Sequence, residues 1–263
     1  MKHFSELQGL VFDMDGVLWR GGKALPGVRE AFSRLRTRQI PFVLATNNAT
    51  QTFEEVRSRM ESVGVSIQQH EVLTSAEGAA SHLKQHVPEG ARVYAIGDPA
   101  LHHALEEAGF SVQESSDGVA AVVVGMDWSL TWEKLAEATY ALMNGAFFMG
   151  TNPDVTFPTE RGLAPGNGAI LAALETATGQ KATIFGKPEP HLFTEALQRI
   201  GTPMTHTVAV GDRLETDILG GKRAGLPTAL VLTGVTTAEQ VAGSDLQPDW
   251  VFENLEELSR ELR

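Results

Sequence analysis

The chain contains no cysteine, which excludes disulfides, thiol nucleophiles and thiolate metal sites. It also lacks a long hydrophobic run. The longest, Val119-Ala120-Ala121-Val122-Val123-Val124, is far too short to span a bilayer. No long apolar stretch precedes Asp13, so no signal peptide is expected and a cytoplasmic location is the default expectation. Positive charge is scarce too. With 21 Lys and Arg against 33 Asp and Glu the formal net charge is −12, which argues against nucleic acid or an anionic membrane as partner. An anionic small molecule could bind only where cations, a metal or backbone N–H groups cluster. Repeats, low-complexity tracts, Ser/Gly-rich linkers, Walker-type loops and dinucleotide fingerprints are all absent.

What is present suits a well-cored protein. Apolar residues make up 42% and charged residues 21% of 263 positions, room for one large or two modest domains. Apolar runs alternate with helical periodicities. Leu10-Val11-Phe12 reads as a buried strand, followed by a helix from Val28 to Gln39 with Val28, Ala31, Phe32 and Leu35 on one side. Pro41–Ala45 is a second strand, and Phe53–Val63 a helix closed by Gly64. Such β-α-β-α order implies a parallel sheet with helices on its faces.

A second alternating set occupies the middle: strands at Arg92–Gly97, Val119–Met126 and Phe147–Met149, with helices near 99–108, 132–143 and 169–177. Between the last two lies a polar stretch, Thr151–Gly168, read as a long binding loop because loops beyond about 12 residues are usually functional or disordered. The first rhythm returns with Ala182–Phe185, Thr207–Val210, Thr228–Leu232 and Trp250–Phe252 as strands and helices near 189–200 and 216–224. The expected organisation is a doubly wound, Rossmann-like α/β domain formed by residues 1–84 and 182–263, with an α/β domain of residues 85–181 inserted into it. Trp128 and Trp132 read as core or subunit contacts, and His102-His103 as surface.

Four strand ends carry chemistry. Asp13-Met14-Asp15-Gly16 follows the first, Thr46-Asn47-Asn48 the second, Gly186-Lys187-Pro188 the strand at 182–185, and Gly211-Asp212 with Asp217 the strand at 207–210. Singly, each reads equally well as a turn, a cap or a solvated side chain. In a parallel sheet, however, the carboxyl ends converge. The combined set is four carboxylates, a hydroxyl, two amides and a lysine. Hard oxygen donors without histidine or cysteine point to Mg²⁺, and the lysine, hydroxyl and turn N–H groups to a phosphoryl group.

These four blocks, in this order, resemble the haloacid dehalogenase (HAD) superfamily. The long interval between the second and third blocks, with the Thr-Asn-Asn wording, resembles its NagD-type and 4-nitrophenyl phosphate phosphatase subgroup. The resemblance implies a Mg²⁺-dependent phosphatase of small phosphorylated metabolites working through an aspartyl phosphate. It implies Asp13 as nucleophile, Asp15 as general acid then base, and Asp13, Asp212 and the Asp15 backbone carbonyl as metal ligands. Asp217 would orient the metal shell or Lys187. Thr46, Asn47, Asn48 and Lys187 would serve the phosphate. The insert would be a cap that sets substrate choice, with Asn152, Asp154, Arg161 and Asn167 of the long loop as candidate contacts. Members of the subgroup commonly dimerise through their caps, so a homodimer of that kind is an open expectation. The alternatives are a receiver-like module that holds a phosphoaspartate without turnover, which is shorter and bears its acceptor on a middle strand, and a phosphotransferase or mutase, whose cap normally lies between the first two blocks.

Overall fold

The computed structural model describes residues 3–159 and 161–262. Among them the strands, in chain order, are β1 (Gly9–Phe12), β2 (Trp19–Arg20), β3 (Lys23–Ala24), β4 (Phe42–Thr46), β5 (Val72–Thr74), β6 (Arg92–Ile96), β7 (Ser111–Gln113) and β8 (Ala121–Val124). They continue with β9 (Phe147–Gly150), β10 (Thr156–Thr159), β11 (Gly162–Pro165), β12 (Thr183–Ile184), β13 (Thr207–Gly211), β14 (Thr228–Val231) and β15 (Trp250–Phe252). The chain forms two compact units. One comprises the residues up to Thr46, Phe53–Leu73 and those from Lys187 on; the other comprises Asn47–Thr52 and Thr74–Gly186. The helix Ser75–Leu83, which precedes the join expected near residue 85, groups with the second unit.

The first unit is built on a six-stranded sheet of order β15-β14-β13-β1-β4-β5. β1 runs parallel to both β13 and β4, and β14 is parallel to β13 and β15. All residues of β1, β4, β13 and β14 are buried, as expected of a parallel sheet covered on both faces. Leu10 and Phe12 join Phe32, Leu35, Leu255 and Leu258 in one core. Val11 must face the opposite side, where the helix His191–Ile200 buries Leu192, Phe193 and Ala196 and packs on β1 and β4. This is the doubly wound, Rossmann-like arrangement of the sequence analysis. A short antiparallel hairpin, β2–β3, follows β1.

The second unit has its own parallel sheet, β12-β9-β8-β6-β7, with a core of Tyr94, Ile96, Val122, Val124, Leu142, Phe148, Ile170 and Leu174. Thr151–Gly168 is not structureless. It contains an antiparallel hairpin pairing Thr156 with Pro165 and Thr159 with Gly162. Pro158 and Pro165 both fall within its paired strands, where proline is tolerated because each strand of a two-stranded ribbon is an edge. Trp128 and Trp132 are 63% and 73% exposed, so neither belongs to the core. Among the described residues no helix is long and apolar enough to cross a membrane.

Candidate active site

Sheet register brings the acids together. The Asp13 N–H donates to the Val210 carbonyl at 2.8 Å, extending the β1–β13 ladder past Phe12. Asp13 and Asp212 therefore leave neighbouring strands at the same end. Gly16 turns the chain away with φ +87°, and a methyl group there would collide with the Asp212 carboxylate. After β13 the chain makes a wide helical turn over Leu214–Ile218, with the Ile218 N–H reaching the Arg213 carbonyl five residues back. The helix expected from 216 therefore begins earlier and wider. Such insertions often mark functional positions. Here the turn buries Asp217, whose Oδ2 accepts from the N–H groups of Asp212 and Arg213 at 3.2 and 3.1 Å.

Lys187 is the counter-charge. It is 2% exposed, and its Nζ donates to Asp13 Oδ1 at 2.5 Å and to Asp217 Oδ1 at 2.8 Å. Burial alone would lower its pKa, but the two carboxylates overcome this and hold it above the ordinary lysine value. Burial also pushes Asp13 well above the usual aspartate range; Lys187 pulls it down, while Asp217 and Asp212 push it further up. Asp212 is raised to about 6, by burial first and the Asp217 charge second.

One ammonium does not balance three acids. Carboxylate oxygens of Asp13, Asp212 and Asp217 lie within 4.8 Å of one another. Asp212 Oδ2 accepts the Val235 N–H at 2.7 Å, whereas Oδ1 is buried with no hydrogen-bond partner among the described residues. A buried, unpartnered anionic oxygen beside two further carboxylates is a place for a cation. The donors are all hard oxygen, so the residues fit Mg²⁺ or a similar ion.

The other expected residues distribute as follows. Asp15 is exposed, and its Oδ1 accepts the Trp19 indole N–H at 3.0 Å. Thr46 is buried at the end of β4, the strand flanking β1 on the side away from β13. In the second unit, Asn48 Oδ1 accepts from the Thr50 N–H and hydroxyl at 2.9 and 2.8 Å, closing a local turn. The Asn47 carbonyl accepts from Asn152 Nδ2 at 2.8 Å and Ser75 Oγ at 2.6 Å, while its own Nδ2 donates to Asp154 Oδ2 at 3.3 Å. Asn152 and Asn167 are both buried. Asn167 Nδ2 donates to the carbonyls of Asn152 and Val124 at 2.8 and 3.2 Å. These two amides hold the chain around Thr151–Asp154 in place. Arg161 is exposed.

Sequence reasoning missed Trp19 as the partner of Asp15. It also missed the strap Thr233–Thr236, whose Val235 N–H holds Asp212. Gly234 was the available signal: a methyl group there has no room against Asp212.

Comparison with known proteins now decides the family. Residues 10–111 match a haloacid dehalogenase-like hydrolase model and residues 184–258 a second HAD-hydrolase-like model. The chain belongs to the haloacid dehalogenase-like hydrolases. The acid sugar phosphatase of Staphylococcus aureus is 38% identical over 257 residues, 98% of each chain. NagD of Escherichia coli superposes with a TM-score of 0.88 at 35% identity, covering 95% of this chain and 98% of its own. A glycerol phosphate phosphatase of Mycobacterium tuberculosis in complex with magnesium gives 0.89 at 37% identity, covering 99% of this chain and 80% of its own. This HAD hydrolase therefore falls in the NagD-like branch, a group of phosphatases, and is a phosphoric monoester hydrolase.

Proposed function

We propose that this HAD hydrolase removes phosphate from small phosphorylated metabolites through a phosphoaspartate on Asp13, with a divalent cation, Mg²⁺, in its acid cluster. The observation that carries the reading is Lys187 clamped between Asp13 and Asp217 beside the unpartnered Oδ1 of Asp212. Asp13 Oδ1 is tied to Lys187, which leaves the other carboxylate oxygen to attack phosphorus. Lys187 offsets the charge that accumulates when a phosphate dianion meets a carboxylate. Phosphoryl transfer depends mainly on such positioning and charge compensation. Asp13, Asp212 and the Asp15 carbonyl would hold the ion, which supplies positive charge to the acids and the phosphate oxygens. Asp217, with both oxygens engaged, orients Lys187 and the start of the turn rather than binding the ion.

Asp15 suits the acid–base role because its carboxyl is exposed and fixed at one oxygen by Trp19. It would protonate the leaving oxygen and then deprotonate the water that cleaves the acyl phosphate. Thr46 and the Asn47 N–H would receive phosphate oxygens, and Asn48 shapes that turn. The second unit would act as the cap. Within it Asp154 and the exposed Arg161 are the substrate-facing candidates, whereas Asn152 and Asn167 shape the loop from inside. The names of the relatives favour sugar or polyol phosphates as the substrate class. A cytoplasmic location and pairing through the cap belong to the same proposal.

The test is Mg²⁺-dependent release of phosphate from 4-nitrophenyl phosphate and a panel of sugar and polyol phosphates. Steady turnover abolished by Asp13→Asn supports the reading. A single stoichiometric burst in the parent protein would instead mark a stable phosphoaspartate carrier, and turnover surviving in Asp13→Asn would remove Asp13 from the chemistry.

A further inference from the structure

Asp212 is held by more than its own strand. Its Oδ2 accepts the Val235 N–H at 2.7 Å, and its backbone carbonyl accepts the Thr236 N–H at 3.1 Å. Thr236 Oγ1 accepts the Leu214 N–H at 3.2 Å. The strap Thr233–Thr236 thus determines which carboxylate oxygen is occupied by protein and which remains open. The strap's other end is fastened from the β2–β3 side. Arg20 of β2 donates from Nη2 to the carbonyls of Thr233 and, at 2.8 Å, Gly234, and Thr233 Oγ1 donates to the Gly16 carbonyl at 2.6 Å. Gly234 lies against the Asp212 carboxylate so closely that no side chain fits. A shift of the strap would therefore be transmitted to the acid.

We infer that Arg20 is a positioning residue for the metal site. Through the Thr233 and Gly234 carbonyls it fixes the Val235 N–H on Asp212 Oδ2, so that Asp212 Oδ1 stays directed at the cation. The inference rests on the proposed Mg²⁺ site. The chemistry is simple. A carboxylate free to rotate must be ordered by the ion that binds it, and that ordering reduces affinity. A carboxylate already hydrogen-bonded at one oxygen presents the other at no such cost. Arg20 is exposed and touches none of the acids in the described contacts, so it acts on the ion only through the strap. Its Nη2 serves both neighbouring carbonyls from a nitrogen held in the rigid guanidinium plane, an orientation that the flexible lysine ammonium reproduces only in part.

The test compares the parent protein with Arg20→Gln, Arg20→Lys and Thr233→Val. The readouts are Mg²⁺ affinity by calorimetry, the melting temperature of the metal-free protein, and KM and kcat for 4-nitrophenyl phosphate at saturating Mg²⁺. Arg20→Gln is expected to weaken Mg²⁺ binding about threefold to tenfold, the effect of one lost charge-assisted tether. Metal-free melting and KM at saturating Mg²⁺ should stay at parent values. Thr233→Val should act in the same direction, and Arg20→Lys should recover part of the affinity. Parent-like Mg²⁺ affinity in Arg20→Gln would overturn the inference while leaving the phosphatase reading intact. A drop in metal-free melting as large as the affinity loss would overturn it too, since Arg20 would then be a general brace. A parent protein that binds no Mg²⁺ and shows no Mg²⁺-dependent turnover would overturn both.

Discussion

Replacing Lys187 by methionine keeps an unbranched side chain only one heavy atom shorter and removes its charge. The parent ammonium is 2% exposed and bonds Asp13 and Asp217 at 2.5 and 2.8 Å. Losing one partner of a buried ion pair typically costs about 3–5 kcal/mol, because the remaining charge is left without solvent or counter-ion. For domains of this size each kcal/mol shifts melting by about 2–4 °C, so a loss on the order of 10 °C is expected.

The loss should depend on pH in a definite direction. Lys187 has a raised pKa in the fold, so it stays protonated from pH 5 to 8 and its own titration adds no slope there. The acids set the slope. Asp13 and Asp212 are already raised, and removal of Lys187 raises both further. Carboxyls with raised folded-state pKa values contribute stability below the unfolded value and lose it as pH climbs through the folded one. The metal-free Lys187→Met protein should thus approach the parent at pH 5 and fall furthest behind at pH 8. Scanning calorimetry at the two pH values measures this. Phosphate release should fall at least about a hundredfold, the usual effect of deleting one preorganised charge from a site. A variant melting within about 2 °C of the parent at pH 8 would refute the assignment of Lys187 as the internal counter-charge.

Three further outcomes are expected. Asp212→Asn removes a carboxylate raised to about 6. Its penalty sets in as pH rises through that value, so the metal-free variant should gain up to roughly 3 kcal/mol at pH 8 and lose stabilisation by Mg²⁺; lower metal-free stability than the parent would contradict this. Trp19→Phe removes the N–H that fixes Asp15 and should lower kcat about threefold to tenfold with little change in KM, so a change confined to KM would contradict the assigned role. Asn167→Ala deletes donors to two buried carbonyls and should destabilise by about 1–3 kcal/mol, read from denaturant unfolding; parent-like stability would show that the amide is dispensable.

Much of the first unit was legible because β1, β4 and β13 are short, mostly apolar and each lead into a chemically distinctive block. β1 ends at Phe12, just before Asp13, while β4 and β13 each run one residue further than expected, to Thr46 and to Gly211, just before Asp212. Local periodicity also placed the helix Val28–Thr37, whose buried face is Val28, Ala31, Phe32 and Leu35. The hairpin β10–β11 was not legible, because its prolines resemble loop chemistry and only pairing partners reveal the strands. The strap on Asp212 was hidden for another reason. Arg20 and Thr233 are 213 positions apart, and a side chain bonding to backbone carbonyls leaves no residue pattern at the receiving end. Trp128 and Trp132 show a third limit: Trp128 sits in a turn and only Trp132 belongs to the helix Trp132–Met143, so their four-residue spacing does not lie along one helix face.

The pairing of Gly9 with Thr207 has a consequence for biosynthesis. Asp13 precedes Lys187 by 174 positions, and of the two strands that flank β1 only β4 is made soon after it, while β13 comes long afterwards. A nascent chain thus carries Asp13 without the ammonium that will balance it, and the acid cluster can close only once β13 and Asp212 have been made.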